Sequence, residues 1–148
     1  MSDHTSALSG VRVLDLTHQV AGPSATLMLA FLGAEVVKVI PPGSRESYDP
    51  IPFYLNNASK KSVELDLKSE AGLQAALRLA ERADIFVENF SPGVIDRLGL
   101  GWDVLSPRNP RLIRPGEGVR RGLAVPGLPV LRPDRAGVLR RIVNHRGA

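Results

Sequence analysis

Residues 11–40 read VRVLDLTHQVAGPSATLMLAFLGAEVVKVI, and this stretch decides the fold. Val11–Leu16 is a short β-rich run that ends in the polar Thr17-His18-Gln19. Gly22-Pro23 opens a helix, because proline suits a first turn where its missing N–H is not needed. Ser24–Leu32 is apolar almost all round, the pattern of a helix buried against a sheet. Gly33 supplies C-cap chemistry. Glu35–Ile40 is a second strand, closed by Pro41-Pro42-Gly43. Strand, helix, strand in so few residues is a βαβ unit, which implies parallel strands and a right-handed crossover.

The same alternation runs outward. A loop rich in Pro, Ser and Asn is expected from Pro41 to about Ser59. Ser62–Leu67 reads as a third strand. Ser69 can cap the next helix, in which Leu73, Ala76, Leu77 and Ala80 recur at i, i+3, i+4 and i+7. Asp84–Glu88 reads as a fourth strand and Asn89–Gly93 as a turn. Val94–Leu98 and Trp102–Leu105 look like short helices, and Arg111–Ile113 starts a fifth strand. There the pattern stops. The fold class expected is α/β: an incomplete Rossmann-like parallel sheet with flanking helices, followed by an irregular basic C-terminal tail.

Composition separates that tail from the rest. The chain has 148 residues and a net charge of +4. Residues 114–148 carry eight arginines, no lysine and only Glu117 and Asp134 as acids, a net of +6, whereas residues 1–113 come to −2. Every lysine and every aromatic residue lies before residue 114. Gly and Pro crowd the tail and no apolar period runs through it, which argues against a packed element. The expectation is one domain, 1–113, followed by a compositionally foreign tail, 114–148. Charge alone would make the tail an arm for nucleic acid or an acidic partner. It has no Phe, Tyr or Trp on which a base could stack.

Other classes are disfavoured. With 0 Cys there is no disulfide, thiolate nucleophile or cysteine-ligated metal, and the 3 His are scattered rather than at ligand spacing. No apolar run approaches the roughly 20 residues a membrane span needs. The N-terminus lacks the basic and apolar regions of a secretory signal, so a cytoplasmic setting is the expectation. Thr17–Pro23 is neither G-x-G-x-x-G nor a P-loop, which disfavours a dinucleotide dehydrogenase and an NTPase.

Ligands of open α/β sheets bind beyond the carboxyl ends of the strands. Polar clusters fall at three such ends: Thr17-His18-Gln19, Asp66 with Lys68, and Glu88-Asn89. Lys60-Lys61 precedes the third strand, and Arg97 sits in a short helix. Each also has a purely structural reading. His18 can bond a loop carbonyl, Asn89 is what a tight turn wants, Lys60-Lys61 suits a solvated turn, and Arg97 suits a surface ion pair. Residue by residue, the sequence gives an α/β domain with a site for an anionic ligand and no more.

Taken together and in order, the blocks say more. Residues 8–39 (LSGVRVLDLTHQVAGPSATLMLAFLGAEVVKV), 60–72 (KKSVELDLKSEAG) and 83–113 (ADIFVENFSPGVIDRLGLGWDVLSPRNPRLI) strongly resemble the family III CoA-transferases. That family includes formyl-CoA transferases and is similar to α-methylacyl-CoA racemase. Glu88-Asn89-Phe90 looks more like the transferase branch, since the racemase typically has proline at the Asn89 position.

The resemblance implies a Rossmann-like CoA-binding domain within an interlocked homodimer that acts on an acyl-CoA, with no nucleic acid and no membrane as partner. Family members move CoA from an acyl-CoA to a carboxylic acid. An aspartate attacks the thioester to give a mixed anhydride, and CoA thiolate returns to form an aspartyl-CoA thioester, covalent catalysis without metal. The CoA thioester is the substrate; no cofactor is bound permanently. By position His18, Gln19 and Ala21 should line the pantetheine end, and Lys60, Asn89, Phe90 and Arg97 match positions that contact CoA, the cationic ones suiting its phosphates.

The chain departs from the family in places. Ile40 stands where an acidic residue is usual, Ser59-Lys60-Lys61 stands for Asn-Lys-Arg, and some transferases have their glutamine where Val20 is. From Arg114 the family would continue the strand into a K-G-F-G-like turn, with the catalytic aspartate further on, and nothing in 114–148 resembles that. A one-base shift of the tail's codons, which leaves the middle base of each new codon free, admits the family blocks KGFG, FDPIAQA and STTGE in the expected order and spacing. The expectation is therefore a frameshift at or just before Arg114, leaving an inactive fragment without its catalytic carboxylate. A small basic protein that binds nucleic acid or an acidic partner is the rival reading, and an intact racemase-like enzyme fails for the same missing downstream chemistry.

Overall fold

A computed structural model describes residues 6–44, 50–114, 131–133 and 139–141, the backbone alone for 50–53 and for the last two stretches. Met1–Arg114 and Pro115–Ala148 form two separate units. The first holds β1 (Arg12–Asp15), α1 (Ala21–Phe31), β2 (Glu35–Ile40), α2 (Pro50–Asn57), β3 (Lys61–Glu64), α3 (Glu70–Arg82), β4 (Ile85–Val87), α4 (Val94–Arg97) and α5 (Trp102–Arg108). The four strands make one parallel sheet in the order β3-β2-β1-β4. The chain winds outward from β1 to β2 and β3, then returns to place β4 on the other side of β1. That reversal is a topological switch point, and it lies between β1 and β4.

The two faces of the sheet are covered differently. Val13 and Val36 pack beneath α1 with Leu29 and Ala30. On the opposite face Leu14, Leu16, Val39 and Phe86 meet Ala76, Leu77 and Ala80 of α3, Ile95 of α4 and Leu105 of α5. α3 forms as its period requires, with Ser69 as N-cap accepting from the Gly72 N–H. α1 ends in a Schellman motif: the N–H of Gly33 bonds the Ala30 carbonyl and that of Ala34 the Leu29 carbonyl, with Gly33 left-handed at φ 98°.

Three expectations need correction. The stretch read as loop contains α2, whose Pro50 and Pro52 sit in a first turn that needs no N–H from them. Tyr54 and Leu55 face outward, so no apolar period announces the helix. α1 is not buried all round: only Pro23 and Thr26 are, while Val20, Met28, Phe31 and Leu32 are exposed among the described residues. The fifth strand is a single parallel bridge between Ile85 and Ile113.

Arg114 belongs to the first unit, where it bonds Glu88. In the second unit β5 (Leu131–Pro133) and β6 (Leu139–Arg141) pair antiparallel, an element the sequence reading did not expect in the tail. The rest of the expected irregular tail, 115–130, 134–138 and 142–148, lies outside the described residues.

Candidate functional site

The site begins with a charge buried at the end of β1. Asp15 is fully buried and its carboxylate is saturated. Oδ1 accepts from the Thr17 N–H at 2.9 Å and the Thr17 hydroxyl at 2.5 Å, and Oδ2 from the Thr26 hydroxyl at 2.5 Å and the Lys60 ammonium at 3.0 Å. Lys38, buried in β2, lies 3.9 Å away and donates to the Thr17 carbonyl. Burial alone would push the Asp15 carboxyl up; Lys38, then the Thr17 and Thr26 hydroxyls, then Lys60 outweigh it and hold the group below the usual carboxylate range. The carboxylate thereby fixes Thr17, the residue from which the chain turns into the site.

Two loops then lock together across the switch point. The His18 N–H donates to Asn89 Oδ1 at 2.7 Å, and Asn89 Nδ2 donates to the His18 carbonyl at 2.7 Å. The Phe90 ring lies 5.0 Å from the imidazole. Glu88 steadies the second loop, accepting from the Phe90 N–H at 2.8 Å and from Arg114 at 3.3 Å. On the first loop Gln19 adopts φ 67°, a left-handed conformation that few residues other than glycine take, immediately before α1. α1 starts at Ala21, and its N-cap Val20 has no side-chain capping bond.

Beside this lock, at the carboxyl ends of the strands, is a cleft of about 220 Å³. Leu16, Val39 and Pro41 form apolar lining, Val94 and Leu98 of α4 add to it, His18 and Phe90 border it, and Asp66 and Lys68 bring charge. Its lining is therefore mostly apolar with a few polar groups, the general make-up of a small-molecule site.

The structure brings most of the residues singled out in the sequence to this place. His18 and Phe90 line the cleft, Asn89 holds His18, Gln19 continues the same loop and Ala21 opens α1, both exposed. Arg97 is exposed at the end of α4. Asp66 and Lys68 reach the cleft as their place after the third strand suggests. Lys60 does not: its side chain is 1% exposed and its ammonium points into the core. Sequence reasoning passed over Asp15, Lys38 and Thr26. The available signal was a charged residue in each of two otherwise apolar strands, VRVLDL and EVVKVI, since a buried charge must find a partner.

Fold and site together define an α/β protein of the doubly wound kind, with a cleft beside the switch point. Comparison with known proteins carries this further. The family model described as CoA-transferase family III matches residues 8–115, and the chain belongs to that family. It is 42% identical over 118 residues to the formyl-CoA:oxalate CoA-transferase of Streptomyces avermitilis, and 43% over 116 residues to that of Streptomyces coelicolor. These matches cover 74% and 72% of this chain but only 29% and 28% of the relatives. Among solved structures it is similar to Rv3272 of Mycobacterium tuberculosis (41% identity, TM-score 0.70, covering 93% of this chain and 44% of that one). It is also similar to a CAIB/BAIF family protein of Brucella suis (32% identity, TM-score 0.70, covering 74% and 32%). The chain thus spans less than a third of the length of those curated relatives. Among the described residues no helix is long and apolar enough to cross a membrane.

Proposed function

We propose that residues 8–113 are the CoA-binding front part of a family III CoA-transferase of the formyl-CoA transferase kind, acting in the cytoplasm as a homodimer when whole. The observation that carries this reading is the reciprocal His18–Asn89 bond, which joins the loops after β1 and β4 at the switch point beside an apolar cleft. CoA is the substrate that suits it: the apolar lining takes a flat or extended apolar portion, Lys68 in the lining supplies positive charge for phosphates, and Arg97, exposed at the end of α4, would add to it. His18, Gln19 and Ala21 would face the pantetheine end, with Asn89 and Phe90 beside them.

The 148-residue chain would bind but not transfer. Transfer needs a carboxylate that attacks the thioester carbon, expels CoA thiolate and is left as an anhydride. Asp15 is enclosed and fully hydrogen-bonded. Glu88 is committed to Arg114 and the Phe90 N–H, and neither it nor Asp66 matches the family's nucleophile position. In this reading residues 114–148 are an out-of-frame translation, and the shifted frame of the underlying DNA continues as the same family and supplies the aspartate within a few dozen codons.

The test is to incubate the purified chain with formyl-, succinyl- and oxalyl-CoA plus carboxylate acceptors, with hydroxylamine to trap an acyl or aspartyl intermediate. No turnover and no hydroxamate on the protein are expected. Turnover above background, lost on changing Asp66 or Glu88, would show that the chemistry has been misplaced. A stop codon early in the shifted frame would remove the frameshift reading.

A further inference from the structure

The resemblance groups Lys60 with residues that meet CoA, whereas the structure encloses it. Its ammonium lies 3.0 Å from Asp15 Oδ2 and 2.8 Å from each of the Pro23 carbonyl, Thr26 Oγ1 and Asn57 Oδ1. An ammonium has three N–H donors, so four acceptors at these distances use all of them and a phosphate would have to displace one. The backbone is shaped for this inward course. Ser59, at φ 64°, turns the chain after α2, and the next residue after Lys60, Lys61, takes the opposite course to an exposed pair with Glu35.

What the ammonium holds is also specific. Asp15 fixes Thr17, on one side of His18, and Pro23 lies in the first turn of α1, on the other side of Ala21. Thr26 belongs to the next turn and is bonded to both Asp15 and Lys60. The two ends of the segment Thr17–Pro23 are therefore tied to one buried group, with the left-handed Gln19 between them.

We propose that Lys60 is a positioning residue: through Asp15 and the Pro23 carbonyl it sets the conformation of His18–Ala21, and it makes no contact with the phosphates of CoA. The proposal rests on the CoA-binding reading only for its ligand readout.

The experiment compares the full chain with Lys60→Met and Lys60→Arg. Binding of coenzyme A, dephospho-CoA and pantetheine is followed by NMR, together with the amide signals of His18, Gln19 and Ala21 without ligand. Lys60→Met is expected to weaken all three ligands by a common factor, roughly tenfold, because a site that must order itself on binding loses affinity for every ligand alike. It should also shift the three amides before any ligand is added, and Lys60→Arg should recover part of both effects. A loss confined to the two phosphate-bearing ligands, or unmoved amides, would overturn the proposal. Should the variants not fold, the ammonium resonance of Lys60 in the unmodified chain decides: slowly exchanging and unmoved by saturating CoA supports positioning, and displacement by CoA refutes it. If the unmodified chain binds none of the ligands, the CoA reading fails, and the amide shifts alone decide the role of Lys60.

Discussion

Replacing Asp15 by asparagine isolates the buried charge that organises the site. The side chain keeps its shape and one acceptor oxygen, but it loses the charge and gains an amide that must face a donor. With the amide on the Oδ2 side, an N–H group meets the Lys60 ammonium, 3.0 Å from the native oxygen, and the Thr26 hydroxyl, 2.5 Å from it. With the amide on the other side it meets the Thr17 N–H and hydroxyl. Either way Lys38 and Lys60, both buried, lose the carboxylate beside them. Breaking one side of a buried ion pair costs about 3–5 kcal/mol, against a total stability of about 5–15 kcal/mol for a domain.

Urea denaturation followed by far-UV circular dichroism measures the difference. With a slope of about 2 kcal/mol per M, the midpoint should fall by about 2 M. The effect also has a pH signature. The Asp15 carboxyl is held below its usual range in the folded chain, so its stabilisation is fully present above the unfolded pKa of about 4 and is lost as pH falls through the folded value. The gap between the two proteins should be constant from about pH 5 to 7 and should narrow below about pH 4. A gap under about 1 kcal/mol at neutral pH, or one that persists undiminished to pH 3, would refute the argument.

Phe86→Ala, at the fully buried centre of β4, should cost about 3–5 kcal/mol by the same denaturation assay. Gly72→Ala places a methyl 2.0 Å from the Asp66 carbonyl oxygen; it should destabilise by about 1–3 kcal/mol despite alanine's better helix propensity, and disturb the Asp66–Lys68 end of the cleft. Lys61→Ala removes an exposed partner of Glu35 and should leave the urea midpoint unmoved, in contrast to its neighbour Lys60.

The parts of this fold that could be read from the sequence are those where one periodic signal coincides with a chemical stop. β1, α1 and β2 follow from a β-rich run, an apolar helix and Gly33, and α3 from its spacing and the Ser69 cap. α2 escaped because its composition is that of a turn, and it is tied down by single side-chain bonds from Ser24 and Lys60 that leave no pattern. The exposed face of α1 was invisible for the converse reason: an all-round apolar helix looks buried whether or not anything lies against its outer side. At the site, His18 and Asn89 each stood out, but their mutual bond joins residues 71 positions apart, and only the return of β4 to the side of β1 brings them together. The cleft itself is lined by Leu16, Val39 and Leu98, which a sequence shows only as core. The different courses of Lys60 and Lys61 leave no trace in the sequence, because adjacent lysines look alike until the backbone turn at Ser59 sends one inward and leaves the other in solvent.

The most direct test is a titration of the 15N-labelled chain with coenzyme A, following every backbone amide. A saturable change centred on His18, Gln19, Ala21, Asn89 and Phe90, and extending to Leu67 and Lys68 along the cleft, is the result predicted. No change there, or changes confined to the arginine-rich residues after 114 that a simple polyanion reproduces, would contradict the assignment of this cleft to CoA.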